Sequence, residues 1–348
     1  MGRKLFDFCI GNPPYQEEFT SDGNKTYAAP VYNKFMDAAN EIASRVELIH
    51  PARFLFDAGS TPKAWNEKML NDPNFKVIHY EEDASKIFSN TEIKGGVAIA
   101  YHDDGKIFGA IRVFNKYPEM NAILHKIINF RDFQGMEKTV VTRTAYRLTE
   151  QLHKEHPEAV SQLSKGHAYD MSTNIFERLP QVFFDEKPDD DHRYIRILGR
   201  ENNQRIYKYI RADFVNEPKN LYSYKVFLPS GNGNGQFGEV LTAPVEGTVG
   251  VGSTETFISI GSLKNIEELH ALIKYIKGKF ARAMIGVLTT TQHLTPAVWK
   301  YAPLQDFIPS SDIDWSKSIH EIDLQLYKKY GLNQEEIDFI EKNVKEMA

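Results

Sequence analysis

Asn12-Pro13-Pro14-Tyr15 directly follows the apolar run Phe6 to Ile10 and Gly11. Consecutive prolines supply no backbone donor and fix their own φ angles, so they end whatever strand or helix precedes them. What remains is an amide that can accept and donate hydrogen bonds and a phenol ring, held in a stiff frame. An Asn-Pro turn stiffened by a second proline is the plain alternative, since many loops are built that way. Chance would place this tetrapeptide in a chain of this length on the order of once in a thousand times. Its placement adds to the case, because open α/β sheets bind ligands beyond the carboxyl ends of their strands.

Other groups able to do chemistry are less well arranged. Asp83, Glu92 and Lys94 imitate an acid–acid-x-lysine nuclease centre, but the strands around them are poorly defined and solvated charges explain them. His153 and His156 lack a nearby third ligand among the 11 histidines, so no metal is expected. Cys9 is the only cysteine, which rules out an intrachain disulfide or a thiolate zinc cluster and suits a reducing, cytoplasmic setting. Within its apolar run it reads as a small core residue.

Net charge is −5, so the chain is not a wholly basic nucleic-acid binder. Its cations are unevenly spread, however. Arg193, Arg196, Arg200, Arg205, Lys208 and Arg211 face one acid, Glu201, with Tyr194, Tyr207 and Tyr209 interleaved. A solvated strand face and a phosphate-contacting face both fit that pattern. Lys274, Lys277, Lys279 and Arg282 recur along one predicted helix, where the charged outer face of an amphipathic helix is the simpler reading. Trp299 and Trp315 read as packing anchors.

The elements that must position these groups follow from periodicity. Phe6 to Ile10 reads as a short buried strand, Val31 to Ser44 as an amphipathic helix, and "VELIHPARFLF" as a second strand ending near Pro51. "TPKAWNEKML" reads as a helix and "FKVIHYEED" as a third strand, while "KGGVAIAYHDDGKIFGAIRVF" reads as a hairpin turning at Asp104-Gly105. Strands alternating with helices predict an α/β fold, half of a doubly wound sheet with a mixed edge. Beyond about residue 120 the character changes: a helix over 119–135, then short strand-like runs ("QVFFD", "YIRIL", "YKVFL", "TFISI") among turns, and a helical region broken near Gly278. Two short helices close the chain, with Gly331 as the C-cap between them. No 18-residue apolar run is present, and Met1-Gly2-Arg3-Lys4 leads into a strand too soon for a secretion leader.

"CIGNPPY" resembles the catalytic motif of amino-group DNA methyltransferases in the N6-adenine form. "VELIHPARFL", "FSNTEIKGGVAIAYHD" with Lys94, Gly95 and Gly96, and the ending "YAPLQDFIPSSDIDWSKSIHEIDLQLYKKYGL" are similar to later segments of type II restriction-modification adenine methylases fused to a target-recognition region. The resemblance implies a partial methyltransferase-like sheet over 1–118, with its catalytic loop at 11–16, and a mixed α+β target-recognition region over 119–348. It implies that the Asn12 side-chain oxygen and the Pro13 carbonyl accept from the adenine amino group, that Pro14 helps fix their direction, and that Tyr15 stacks on the base flipped out of double-stranded DNA. The methyl donor would be S-adenosylmethionine.

The family's glycine-rich donor turn precedes its catalytic loop, and only 11 residues precede Asn12 here. Gly250-Val251-Gly252 leads into a strand-like run, which reads as a turn between strands, so no donor-binding residues are assigned. A sheet lacking half its strands would expose an apolar edge, and a missing N-terminal segment or a partner subunit is expected to carry the donor site. Two other functions stay open: a DNA-binding specificity subunit without catalysis, and methylation of an amine or amide outside DNA.

Overall fold

The computed structural model describes residues 4–17, 29–56, 60–89, 93, 95–233, 236–289 and 292–347. The fold is mixed α/β with several sheets, and the chain divides into two compact units, Met1–His125 and Lys126–Ala348.

The first unit is built on one sheet of four strands, β1 (Phe6–Gly11), β2 (Ala43–Pro51), β3 (Phe75–Glu81) and β4 (Val97–Asp103), in the order β1-β2-β4-β3. β1 and β2 are parallel and joined by helix α1 (Tyr32–Ile42); β4 is antiparallel to both of its neighbours. Helix α2 (Lys63–Asn71) precedes β3. One face of the sheet carries the core, in which Val46, Leu48, Ala98 and Ala100 pack with Tyr32, Met36, Phe54, Trp65 and Phe75.

Two expectations fail here, both because pairing partners are not local. β1 is not buried: Phe6, Phe8 and Ile10 are 55%, 49% and 73% exposed. In the parallel register Cys9 lies beside Val46 on the core face, so alternation sends Phe8 and Ile10 to the other face, beside Arg45 and Glu47. The segment around Asp104-Gly105 is not a hairpin either. Both edges of β4 are already bonded to β2 and β3, so the returning chain finds no edge to pair with. Its amides reach sideways instead, Phe108 and Gly109 to the Pro73 carbonyl and Arg112 to that of Leu70.

Helix α3 (Pro118–Ile128) stops short of the expected residue 135. The second unit continues with β5 (Val140–Val141) and three short helices, α4 (Glu150–Glu155), α5 (Ala159–Gln162) and α6 (Ile175–Arg178). "QVFFD" contributes only an isolated bridge at Phe184. A three-stranded sheet has the order β10 (Val251–Ser253), β6 (Tyr194–Glu201), β7 (Gln204–Arg211). A four-stranded sheet joins β5, β11 (Phe257–Leu263), β8 (Tyr224–Pro229) and β9 (Val245–Gly247). Helices α7 (Ile266–Lys277) and α8 (Lys279–Gly286) break at Gly278, as expected. Gly278 admits no side chain, since a Cβ there would sit 2.6 Å from the Asp323 carboxylate.

Helices α9 (Ile319–Lys329) and α10 (Gln334–Asn343) each begin with a reciprocal capping box, Ser318 with Glu321 and Asn333 with Glu336. Between them Gly331 adopts φ +64°, with Gly331 N–H donating to Lys328 and Leu332 N–H to Tyr327, the Schellman pattern that ends a helix. Among the described residues no helix is long and apolar enough to cross a membrane.

Candidate functional site

The strand directions bring one set of loops to one end of the first sheet. β1 and β2 run the same way, and the register pairs Val97, at the start of β4, with both Pro51 and Glu81. The loop Asn12–Tyr15, the turn Arg53–Phe56, the turn Ala84–Lys86 and the Gly95-Gly96 corner therefore share the carboxyl end of β1 and β2. Ligands of α/β sheets sit at such an end.

Asn12 is exposed where β1 stops. The loop is anchored beyond Tyr15, where Val31 N–H donates to the Tyr15 carbonyl at 3.1 Å and Glu17 N–H to the Ala29 carbonyl at 2.9 Å. Among the described residues no hydrogen bond of good geometry occupies the Asn12 side-chain oxygen or the Pro13 carbonyl.

Tyr15 is half-buried, packs against the core and meets the Phe88 ring edge-on at 6.5 Å. Its hydroxyl is buried without a well-formed hydrogen bond. Burial pushes the phenol pKa up, and the nearby Asn12 side chain offsets part of that shift. Phe88 was not singled out from the sequence, because only the sheet brings the turn after β3 beside the loop after β1.

Gly95 and Gly96 have φ +87° and +75° and are required by close packing. A Cβ on Gly95 would lie 2.7 Å from Arg53 Cγ, and one on Gly96 would lie 2.3 Å from the Glu81 carbonyl oxygen. Gly96 accepts from Ala52 N–H at 3.0 Å, and Gly95 accepts from the Tyr80 hydroxyl at 3.3 Å. Burial, with Glu82 and Glu81 adding to it, raises the Tyr80 phenol to about 12, so it stays a donor. Lys94 and Glu92 lie outside the described residues. Asp83 caps the turn that follows it, accepting from Ser85 N–H and Oγ, which leaves it little part in a nuclease centre.

The second unit sorts the six expected basic residues into two groups. Arg211 is clamped by Glu155 and Asp213, Lys208 by Asp185 and Glu201, and Arg193 by Glu217. Arg196, Arg200 and Arg205 have no carboxylate partner among the described residues. Of the 274–282 cations, Lys274, Lys279 and Arg282 are likewise committed, and Lys277 has no side-chain partner among the described residues. Lys274 caps the carbonyls of Trp315, Ser316 and Lys317, Lys279 pairs with Glu341, and Arg282 is buried against backbone carbonyls. Trp299 and Trp315 are buried, as expected of anchors.

Gly250 (φ +73°) turns the chain into β10, where a Cβ on Gly252 would crowd Ile197 and Tyr146 at 2.9 Å. That is a strand packing closely, not a strand–turn–helix. His153 is used by the Ala168 carbonyl and His156 by Glu158. No group of three potential metal ligands occurs among the described residues.

Residues 1–88 match the Eco57I restriction-modification methylase family. The match includes the Asn12–Tyr15 loop and bears out the family resemblance read from "CIGNPPY". A protein of Mycoplasma pneumoniae described as an uncharacterized adenine-specific methylase is 29% identical over 97 residues, which are 28% of this chain and 23% of that protein. Among solved structures, the type IIG restriction endonuclease BpuSI aligns with 91% of this chain and 48% of its own, at 11% identity and a TM-score of 0.31. The type IIL restriction-modification enzyme MmeI, in complex with DNA, aligns with 97% of this chain and 56% of its own, at 10% identity and a TM-score of 0.34. The chain thus spans well under two thirds of the length of each of these relatives.

Proposed function

We propose that this chain carries the catalytic loop and target-recognition region of an N6-adenine DNA methyltransferase of a restriction-modification system, acting on double-stranded DNA in the cytoplasm. Residues 1–118 form the back half of a doubly wound methyltransferase sheet, and residues 119–348 the recognition region. The observation that carries this reading is the place of the Asn12–Tyr15 loop at the carboxyl end of β1, where among the described residues no hydrogen bond of good geometry occupies Asn12 Oδ1 or the Pro13 carbonyl.

An adenine amino group is a weak nucleophile because its lone pair is delocalised into the ring. Two acceptors fixed on its hydrogens draw them out of the ring plane and return the pair to nitrogen. Prolines at 13 and 14 hold that geometry in advance, so little ordering is left for the moment of reaction. Tyr15 would stack on the flipped base, its ring held by the T-shaped contact with Phe88.

S-adenosylmethionine is the donor this reading calls for. The described residues offer no glycine turn between a strand and a helix to fit it. We place the donor site on a segment that pairs with the outer edge of β1, either preceding this chain or belonging to a partner subunit. Exposure of Phe6, Phe8 and Ile10 beside an unpaired edge supports that placement.

Asn12→Ala tests the reading. Methyl transfer to an adenine-containing duplex by the reconstituted enzyme should fall by roughly a hundredfold or more, as for loss of other preorganised polar groups. Duplex binding should be retained, and unimpaired transfer would refute the role of Asn12. A specificity subunit without catalysis is the second reading, favoured by the packing of Tyr15 into the core. Under it, Asn12→Ala changes nothing and substitutions in 193–211 abolish binding.

A further inference from the structure

The hairpin of β6 and β7 is anchored at its base and exposed at its tip. Ile195, Ile197, Leu198 and Ile210 are buried in the core of the second unit, and β10 bonds only to Arg196, Ile197 and Leu198. Beyond that point the hairpin is a two-stranded ribbon. It closes in a two-residue turn at Asn202 and Asn203, whose φ values of +49° and +62° are those of a type I′ turn. Asparagine is explained at both positions by that backbone alone.

The arginines are not explained that way. Arg200 and Arg205 lie directly opposite each other one pair below the turn, on the same face of the ribbon as Arg196 and Tyr207. Like charges directly opposite in a sheet destabilise it. Arg193, Lys208 and Arg211 on this hairpin are neutralised by acids, whereas these two are exposed: Arg200 donates to the Asn203 carbonyl and Arg205 to that of Ala243, both at 3.2 Å, with Arg205 also over the Phe257 ring at 5.8 Å. Arg196 lies over the Tyr207 ring at 5.3 Å, which holds its guanidinium at the same surface. Among the described residues no carboxylate pairs with either member of this cationic pair, and Glu246, which acts on Tyr207 along with Arg196 and Arg205, is taken up by His270. A two-stranded ribbon also has the width that the major groove of B-DNA admits.

We propose that the tip of this ribbon enters the major groove of duplex DNA, with Arg200 and Arg205 neutralising phosphates at the groove rim and Arg196 behind them. Arg193, Lys208 and Arg211 are not contacts, because their charge is already spent on acids. The inference rests on the reading of this chain as acting on DNA, and it names the element that does the docking.

The test is fluorescence anisotropy of the full chain with a random-sequence 30-base-pair duplex over a salt series, without methyl donor. Arg200→Gln and Arg205→Gln should each reduce the slope of log K against log salt by about 0.9, and the double variant by about 1.8. The double variant should bind roughly tenfold more weakly at low salt. Arg193→Gln removes the same charge from a neutralised site and should leave the slope unchanged. Equal losses in all three single variants would mean a general field effect and would overturn the proposal. An unaltered slope in the double variant would overturn it while leaving DNA binding intact. Failure of the unsubstituted chain to bind the duplex would overturn both this inference and the DNA reading beneath it. Circular dichroism of each variant separates lost contact from lost fold.

Discussion

β1 and the β6–β7 hairpin are both edge elements, and they expose opposite chemistry. β1 presents phenylalanine and isoleucine to solvent beside an edge that pairs with no strand among the described residues, whereas the hairpin tip presents arginines, asparagines and a glutamine. Exposed edge strands ordinarily carry charges or twists that discourage pairing. β1 carries neither device on the face of Phe6, Phe8 and Ile10, Asp7 lying on the face of Cys9, and an apolar strand of this kind gains most from being covered by protein. The hairpin tip repels an apolar partner and gains from an anion. Two edges of one chain thus ask for different partners.

The units also differ in what they bury. The first holds a neutral histidine in an aromatic core: His50 is fully buried, stacks parallel to Tyr32 at 6.0 Å, and is pulled down to about 4 by burial. The second buries groups that are ordinarily charged. The Lys225 ammonium donates to the carbonyls of Asn220, Leu221, Ser223 and Thr248 at 2.9–3.0 Å. Asp323 takes the N–H groups of Lys279 and Phe280 at the start of α8, and burial raises its pKa to about 6.

The largest stability effect should come from Lys225→Ala. It strips the donor from four buried carbonyls and opens a cavity, at a cost of about 4 kcal/mol. Urea unfolding should show that loss in the second unit; a change under 1 kcal/mol would mean water replaces the ammonium.

Acid should separate the two units next. His50 binds its proton at 6.5 when unfolded and at about 4 when folded, so the stability it contributes is lost as pH falls from 6.5 through 4, about 3 kcal/mol in all. Asp323 has the opposite sign. Its folded pKa lies above 3.8, so its contribution is present at low pH and is lost as pH rises through about 6, again about 3 kcal/mol. Amide exchange corrected for intrinsic rates should show protection of the first unit falling between pH 6.5 and 4 relative to the second. Parallel responses would break the comparison.

The smallest effect on stability should accompany the change that matters most for assembly. Replacing Phe6, Phe8 and Ile10 with serine removes little buried surface and should shift stability by no more than about 0.5 kcal/mol per site. Light scattering should nevertheless show reduced self-association of the free chain. A large loss of stability would mean that these side chains are packed after all.

Sequence by itself determined the local features. The strand that runs into Asn12-Pro13-Pro14-Tyr15, the helices at 32–42 and 63–71, the break at Gly278 and the glycine after α9 were legible, because periodicity, proline and capping act within a few residues. The candidate loop Asn12–Tyr15 was legible for the same reason, being one short contiguous segment. Tertiary structure decided which faces and charges remain free. Phe6, Phe8 and Ile10 lie on the sheet face opposite the core because the register with β2 puts Cys9 on the core face, and β4 forms no hairpin because both its edges are taken. Three of six cations are silenced by acids as distant in sequence as Glu155 is from Arg211. Alternation tells which residues share a face, but only long-range pairing tells whether that face is covered, and burial and charge neutralisation are properties of the pair.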